Sequence, residues 1–140
     1  MSTLEHAILL AAESHLGQVD KVGSPYILHP LRVMFRCRTP EAMMAAVLHD
    51  VVEDTPVTLD QLRLLGYPGE VIDAVACLTK RDGESYEDFV ARVQTNPIAT
   101  EVKIADLEDN MDVRRLTEVG PKEAERLARY RLAYRELTGR

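Results

Sequence analysis

His49 and Asp50 stand side by side in Ala46-Val47-Leu48-His49-Asp50-Val51-Val52-Glu53-Asp54-Thr55, with apolar residues before them and two more carboxylates within one turn after them. An imidazole and three carboxylates this close repel and desolvate one another unless a cation or a catalytic task compensates. Burying even an uncharged polar group without a partner costs roughly 2–7 kcal/mol, so the segment asks for a divalent metal. Two further positions could complete a ligand set: His29, at a helix start before Pro30, and Asp106, which follows the buried-looking stretch Val102-Lys103-Ile104-Ala105. His49 and Asp50, read as neighbours within a helix, would project roughly 100° apart and flank one ion. Mixed imidazole and carboxylate ligands suit Mn, Fe, Co, Ni or Zn, and an open octahedral site favours Mn or Fe over structural Zn. Taken singly, His29 also suits capping or packing, and Asp106 an ion pair with Lys103; the combination points to a metal. His6 and His15, near helix ends, read as ordinary structural residues.

The elements that must position these residues read as helical throughout. Glu5 to Leu16 forms a first helix closed by Gly17, and residues 17–25 form a polar loop. His29-Pro30 opens a second helix, because proline is tolerated in a first turn and biases the residue before it away from helix. Thr39-Pro40-Glu41 starts a third, expected to run through Met43, Met44, Val47, Leu48 and Val51. Thr58 with Gln61 makes a capping box for a short helix ending at Gly66, and Pro68 starts the next, with Val71, Ile72, Val75 and Leu78 at helical spacing. Ser85 caps a helix through Val93, Asn96-Pro97 restarts the chain into Ile98 to Val113, and Gly120-Pro121 precedes the last helix. There Leu127, Tyr130, Tyr134 and Leu137 form one apolar stripe that suits core packing or a second subunit, so the oligomeric state stays open. No alternating strand pattern occurs, and the fold class is all-α, a helical bundle in one domain over residues 1–140.

At 140 residues the chain is long enough to bury a sizeable core. No stretch reaches the ~20 apolar residues of a membrane span, and no basic region precedes an early apolar run, so neither a membrane partner nor a signal peptide is expected. Cys37 and Cys77 lie apart without zinc-motif spacing and read as free thiols, which suits the cytoplasm. The net charge is −6 and the basic residues are scattered, which disfavours a nucleic-acid duplex as partner. In the last helix Arg126, Arg129, Arg131 and Arg135 alternate with Glu123, Glu125 and Glu136 and read as a solvated face.

His29-Pro30, the run His49-Asp50-Val51-Val52-Glu53-Asp54-Thr55 and Lys103-Ile104-Ala105-Asp106 together resemble the HD-domain superfamily. More narrowly, they resemble the hydrolase domain of RelA/SpoT-type alarmone enzymes and their small stand-alone relatives. The acidic run and Gly23-Ser24-Pro25-Tyr26-Ile27-Leu28-His29-Pro30 are the specific parts, and the resemblance extends from the first helix to about Asn110. It implies an all-α fold with one Mn²⁺ held by His29, His49, Asp50 and Asp106. It further implies that Glu53 and Asp54 handle the attacking water and its protons, that the 3′-pyrophosphate of (p)ppGpp is removed, and that Asn110 lies by the nucleotide. The chemistry agrees, since a metal lowers the pKa of bound water towards ~7 and a nearby carboxylate can then take a proton. Lys103 and Lys21 are candidate phosphate contacts, although Lys21 equally suits a loop charge.

Two departures bear on the substrate. Where alarmone hydrolases usually carry an arginine that stacks on guanine, this chain has Asp20, and a carboxylate does not stack as guanidinium does. The stretch Leu107-Glu108-Asp109-Asn110 is acidic where the relatives tend to be basic or neutral. The expected partner is thus a small-molecule nucleotide, with (p)ppGpp first and NADPH or another phosphorylated nucleotide as alternatives. A metal or nucleotide sensor without turnover, and a purely structural helical domain, are the rivals of another class.

Overall fold

Five helices begin where a side chain satisfies an unpaired N–H of the first turn. In the computed structural model, which describes residues 2–140, Thr3 and His6 form a capping box for α1 (Leu4–Ser14), and Thr58 and Gln61 do the same for α5 (Leu59–Leu64). Thr39 caps α3 (Pro40–Leu48), Ser85 caps α7 (Tyr86–Gln94), and Asn96 caps α8 (Pro97–Asn110). The remaining helices are α2 (Leu28–Phe35), α4 (Val51–Asp54), α6 (Gly69–Leu78) and α9 (Pro121–Thr138), with one 3₁₀ turn at Val113–Arg115. The described residues contain no strand, only an isolated bridge between Val19 and Pro25. The chain is all-α, and none of these helices is long and apolar enough to cross a membrane.

The packing is organised around α3, which lies against α1, α2, α6 and α8. Its residues Ala42, Ala45, Ala46, Val47 and Leu48 are wholly buried, and the alanines let neighbouring helices approach closely. Helix α9 lies on α7 and α8, where Ala133, Tyr134 and Leu137 pack with Val90 and Leu107. That part of the apolar stripe therefore packs on the core of its own chain.

The first helix ends at Ser14 rather than Leu16, and two boundaries nearer the cluster also differ from the sequence reading. The third helix does not run through Val51: it ends at Leu48, and His49 and Asp50 form a turn before α4. The eighth ends at Asn110, because Asp112 turns the chain by accepting from the Arg114 N–H. Both thiols are free, and burial first, then Glu101, pushes Cys37 up to about 12.

Leu48 is fully buried one residue before the His-Asp pair. Leu48→Ala is expected to lower unfolding stability by about 2–5 kcal/mol, the range for a buried leucine truncated in place. The measurement is urea unfolding, where the midpoint should fall while the slope is kept. An unchanged midpoint would show that α3 is not the centre of the packing.

Candidate metal centre and its cavity

The break after Leu48 sets the geometry of His49. At this position the backbone N–H bonds to the Ala46 carbonyl three residues back, and the same carbonyl accepts from the imidazole Nδ1–H. With Nδ1 so occupied, the Nε2 lone pair faces the interior. Nε2 is buried and makes no hydrogen bond, yet it lies 3.1 Å from Asp50 Oδ2 and 3.3 Å from Asp106 Oδ1. An orphaned imidazole nitrogen aimed between two carboxylate oxygens is the arrangement a cation completes.

His29, in the first turn of α2, repeats the pattern. Its Nδ1 donates to Asp109 Oδ2 at 2.7 Å, which turns Nε2 to within 2.9 Å of Asp106 Oδ1 and 3.9 Å of Asp50 Oδ2. His29, His49 and Asp50 present ligand atoms within 4.8 Å of one another, and Asp106 joins them through both imidazoles. Donor atoms at these spacings match those around one first-row divalent ion with bonds of about 2.0–2.2 Å. His29, His49 and Asp106 are buried, and Asp50 keeps 14% of its side-chain surface.

The charges are balanced locally. Burial alone would raise Asp50, but His49 beside it holds the carboxyl down at about 2. Burial would raise Asp106 too, and Lys103 with both histidines holds it well below the ordinary value. For His29 and His49 burial works downward and is outweighed by the carboxylates, so both imidazoles are held above their ordinary value. Lys103 Nζ donates to Asp106 Oδ2 at 3.0 Å and sits 5.2 Å from the Phe89 ring centre and 5.7 Å from that of Tyr86. Asn110 Nδ2 donates to Asp106 Oδ1 at 3.2 Å, and the Tyr26 hydroxyl donates to Asp50 Oδ2.

The cluster opens into a cavity of about 490 Å³, whose lining includes Lys21, Glu53, Asp54, Lys103 and Asn110. Every residue assigned a site role from sequence is therefore at the cluster or on this wall. Glu53, Asp54 and Asp50 bring carboxylate oxygens within 4.8 Å of one another. Burial, followed by Asp50 and Asp54, raises Glu53 against the lowering effect of its bond from the Lys80 N–H; burial and Asp50 raise Asp54. Asp20 is on the wall as well, but its Oδ1 accepts from the N–H groups of Val22 and Ser24, closing the loop over Gly23 at φ +84°.

Three features escaped the sequence reading. Asp109, grouped there with an acidic run facing a nucleotide, is fully buried and orients His29 while accepting from Arg32 Nε at 2.8 Å. Burial would raise its carboxyl, and His29 and Arg32 hold it at about 2. Its spacing of three from Asp106 puts both on one face of α8, and that was the available signal. Arg126 is half-buried on the cavity wall rather than on a solvated face, as are Arg32 and Arg115. His15, near a helix end as read, is buried against Tyr26 with its Nε2 unpartnered.

No family model matches the chain. It is 34% identical over 140 residues to the bifunctional (p)ppGpp synthase/hydrolase SpoT of Escherichia coli K12, covering 90% of this chain and 20% of that protein. The chain is a homologue of the SpoT/RelA-type hydrolase domain. A guanosine-3′,5′-bis(diphosphate) 3′-pyrophosphohydrolase of Haemophilus influenzae is 32% identical over 135 residues, covering 86% of this chain and 20% of that one. The chain thus spans about a fifth of the length of these SpoT-type relatives. Its fold matches the solved structure of a metazoan SpoT ortholog that hydrolyzes ppGpp, with a TM-score of 0.77 and 22% identity over 99% of this chain and 87% of that one.

Asp109 reaches the cluster only through His29, in the carboxylate–histidine pairing that orients metal ligands. Asp109→Asn is expected to weaken divalent-metal affinity about 10–100-fold, the usual loss for such a partner. Calorimetric titration of Mn²⁺ and Zn²⁺ into the metal-free protein measures it. Unchanged affinity in the folded variant would mean that His29 is oriented by packing alone.

Proposed function

We propose that the protein is a metal-dependent phosphohydrolase acting on a phosphorylated nucleotide, with the 3′-pyrophosphate of (p)ppGpp as its first substrate, and that residues 1–140 act as one HD-type unit. One observation carries the reading. The carboxylates of Glu53 and Asp54 stand beside an imidazole–carboxylate cluster in a cavity whose wall also bears Lys21, Arg32, Lys103, Arg115 and Arg126. A pure binding module has no use for two carboxylates with raised pKa beside its metal ligands, whereas proton transfer does. The names of the SpoT-type relatives supply the substrate.

His29, His49, Asp50 and Asp106 would hold one divalent ion, Mn²⁺ first, with Fe, Co, Ni or Zn as alternatives for such a donor set. When bound, such an ion polarises the phosphoryl group and makes a water more acidic. Glu53 takes a proton from the attacking water as its oxygen bonds to the phosphorus attached to the ribose 3′ oxygen. The bond from that phosphorus to the 3′ oxygen breaks, the leaving oxygen takes up the proton that the Glu53–Asp54 pair received from the water, and GDP and pyrophosphate result. Asp54 is the second carboxylate of the exchange, and its charge adds to the effects that raise Glu53. Lys103 is committed to Asp106 and acts on the phosphates mainly as a fixed charge. Neither Lys21 nor Arg126 makes an ion pair among the described residues, and these two wall cations are free to meet a phosphate.

A second reading is favoured by one feature. Asp20 stands where the relatives place a base-stacking arginine and spends one oxygen on its own loop, which leaves the guanine end weakly specified. A phosphorylated nucleotide with another base, NADPH among them, fits the same chemistry.

Incubation with Mn²⁺ and ppGpp should yield GDP and pyrophosphate. Glu53→Gln should keep the metal and lose about 10²–10⁴-fold in kcat, the span of general-base catalysis, while Asp50→Ala should lose metal and turnover together. Rates left intact by Glu53→Gln would mean that another group takes the proton. Tight nucleotide binding with no product from any nucleotide would favour the sensor instead. Arg126→Ala is expected to raise KM about tenfold with little change in kcat, as removal of uniform binding does, which steady-state kinetics measures.

A further inference from the structure

The Glu53 carboxylate is not held by its own helix. Its Oε1 accepts a hydrogen bond of 2.9 Å from the backbone N–H of Lys80, just past the end of α6. That N–H belongs to the peptide group joining Thr79 to Lys80. The oxygen of the same peptide group accepts from Arg92 Nη2 at 2.8 Å. In a trans peptide the C=O and N–H lie in one plane and point in opposite directions, so holding the oxygen aims the N–H. Donation into the carbonyl also polarises the peptide and strengthens its N–H as a donor.

Arg92 is itself fixed. From α7 its Nε and Nη2 meet the two carboxylate oxygens of Glu84 at 2.9 and 3.0 Å, and its Nη1 donates to the Ala76 carbonyl at 3.1 Å. Glu84 Oε1 accepts in addition from the Arg81 N–H at 3.0 Å, so the pair brackets the turn that carries Lys80. The two side chains keep only 16% and 12% of their surface, and neither lines the cavity. A bidentate arginine–carboxylate pair of this kind is rigid in direction as well as strong.

We propose that Arg92, locked by Glu84, is a positioning residue for Glu53, acting through the single peptide group between Thr79 and Lys80. The functional half of this inference rests on Glu53 as the proton-accepting carboxylate. Arg92 never meets the substrate; it determines where Glu53 points.

The test uses the full chain carrying Arg92→Met, Arg92→Lys or Glu84→Gln, each alone and combined with Glu53→Ala. In ¹H–¹⁵N spectra, Glu53→Ala and Arg92→Met should each shift the Lys80 amide and raise its exchange rate about tenfold, as loss of a hydrogen bond does. With Mn²⁺ and ppGpp, Arg92→Met should lower kcat about tenfold, the low end for an outer partner, with KM and Mn²⁺ affinity unchanged. In the Glu53→Ala background that loss should vanish, whereas damage to the fold would persist and multiply. Arg92→Lys and Glu84→Gln should fall in between, and they carry the test where Arg92→Met does not fold. A Lys80 amide indifferent to every Arg92 and Glu84 variant, or losses that multiply with Glu53→Ala, would overturn the proposal. A wild type that turns over no nucleotide defeats the hydrolase reading instead, and the amide spectra still decide whether Arg92 holds Glu53.

Discussion

Asp106 puts a carboxylate almost wholly inside the protein, and much of the architecture exists to hold it there. Two histidines, a lysine and an asparagine surround its oxygens, and each comes from a different constraint on the chain. Lys103 and Asn110 flank it by one turn on either side of α8, while His29 and His49 arrive from α2 and from the turn after α3. An isolated buried carboxylate would cost several kcal/mol and would protonate instead. Here the lysine supplies a permanent opposite charge through Oδ2, and the imidazoles converge on Oδ1. The ammonium in turn is sheltered by the faces of Phe89 and Tyr86, which attract a cation as they exclude water.

The break at His49 is the second necessity. In a continuous helix the Ala46 carbonyl would accept the N–H of residue 50; here it accepts the N–H of His49 and, on its second lone pair, the imidazole Nδ1–H. Ending α3 at Leu48 places the imidazole against that carbonyl and lets Asp50 turn towards the same interior point. Helix α4 then resumes at once, so Glu53 and Asp54 follow within a turn and face the cavity rather than the core. One irregular step thus sorts four ionisable residues into two that converge inside and two that stay at the water's edge.

Much of this was legible in the residues, because helix starts are written in local chemistry. Thr39-Pro40, Thr58 with Gln61, Ser85 and Asn96-Pro97 each marked a start that the structure realises, since a cap acts on the next three residues alone. Helix ends were less readable. The apolar run through Val51 satisfies helical periodicity, and nothing local reveals that the pull of a shared interior point ends the helix at Leu48. Asp109 was misjudged for the same reason: an acidic residue in an acidic run looks solvated until His29, eighty positions earlier, proves to be its partner. Arg126 was misjudged because charge alternation along a helix says which residues can face water, and only tertiary packing says which face meets the cavity.

Charge distribution gives the cavity its direction. The chain carries a net charge of −6, which repels a polyanion at a distance, although screening confines that repulsion to roughly 8–10 Å. Inside that range the wall is of mixed sign, with Lys21, Arg32, Arg115 and Arg126 along it and Asp50, Glu53 and Asp54 gathered beside the imidazoles. Arg32 and Arg115 are tied to Asp109, so their charge is fixed in place on the wall. A phosphorylated ligand is then drawn by the arginines and resisted by the acidic group unless a cation lies between them. Electrostatic selection of this kind favours a metal-accompanied phosphate over a bare carboxylate or an uncharged nucleoside.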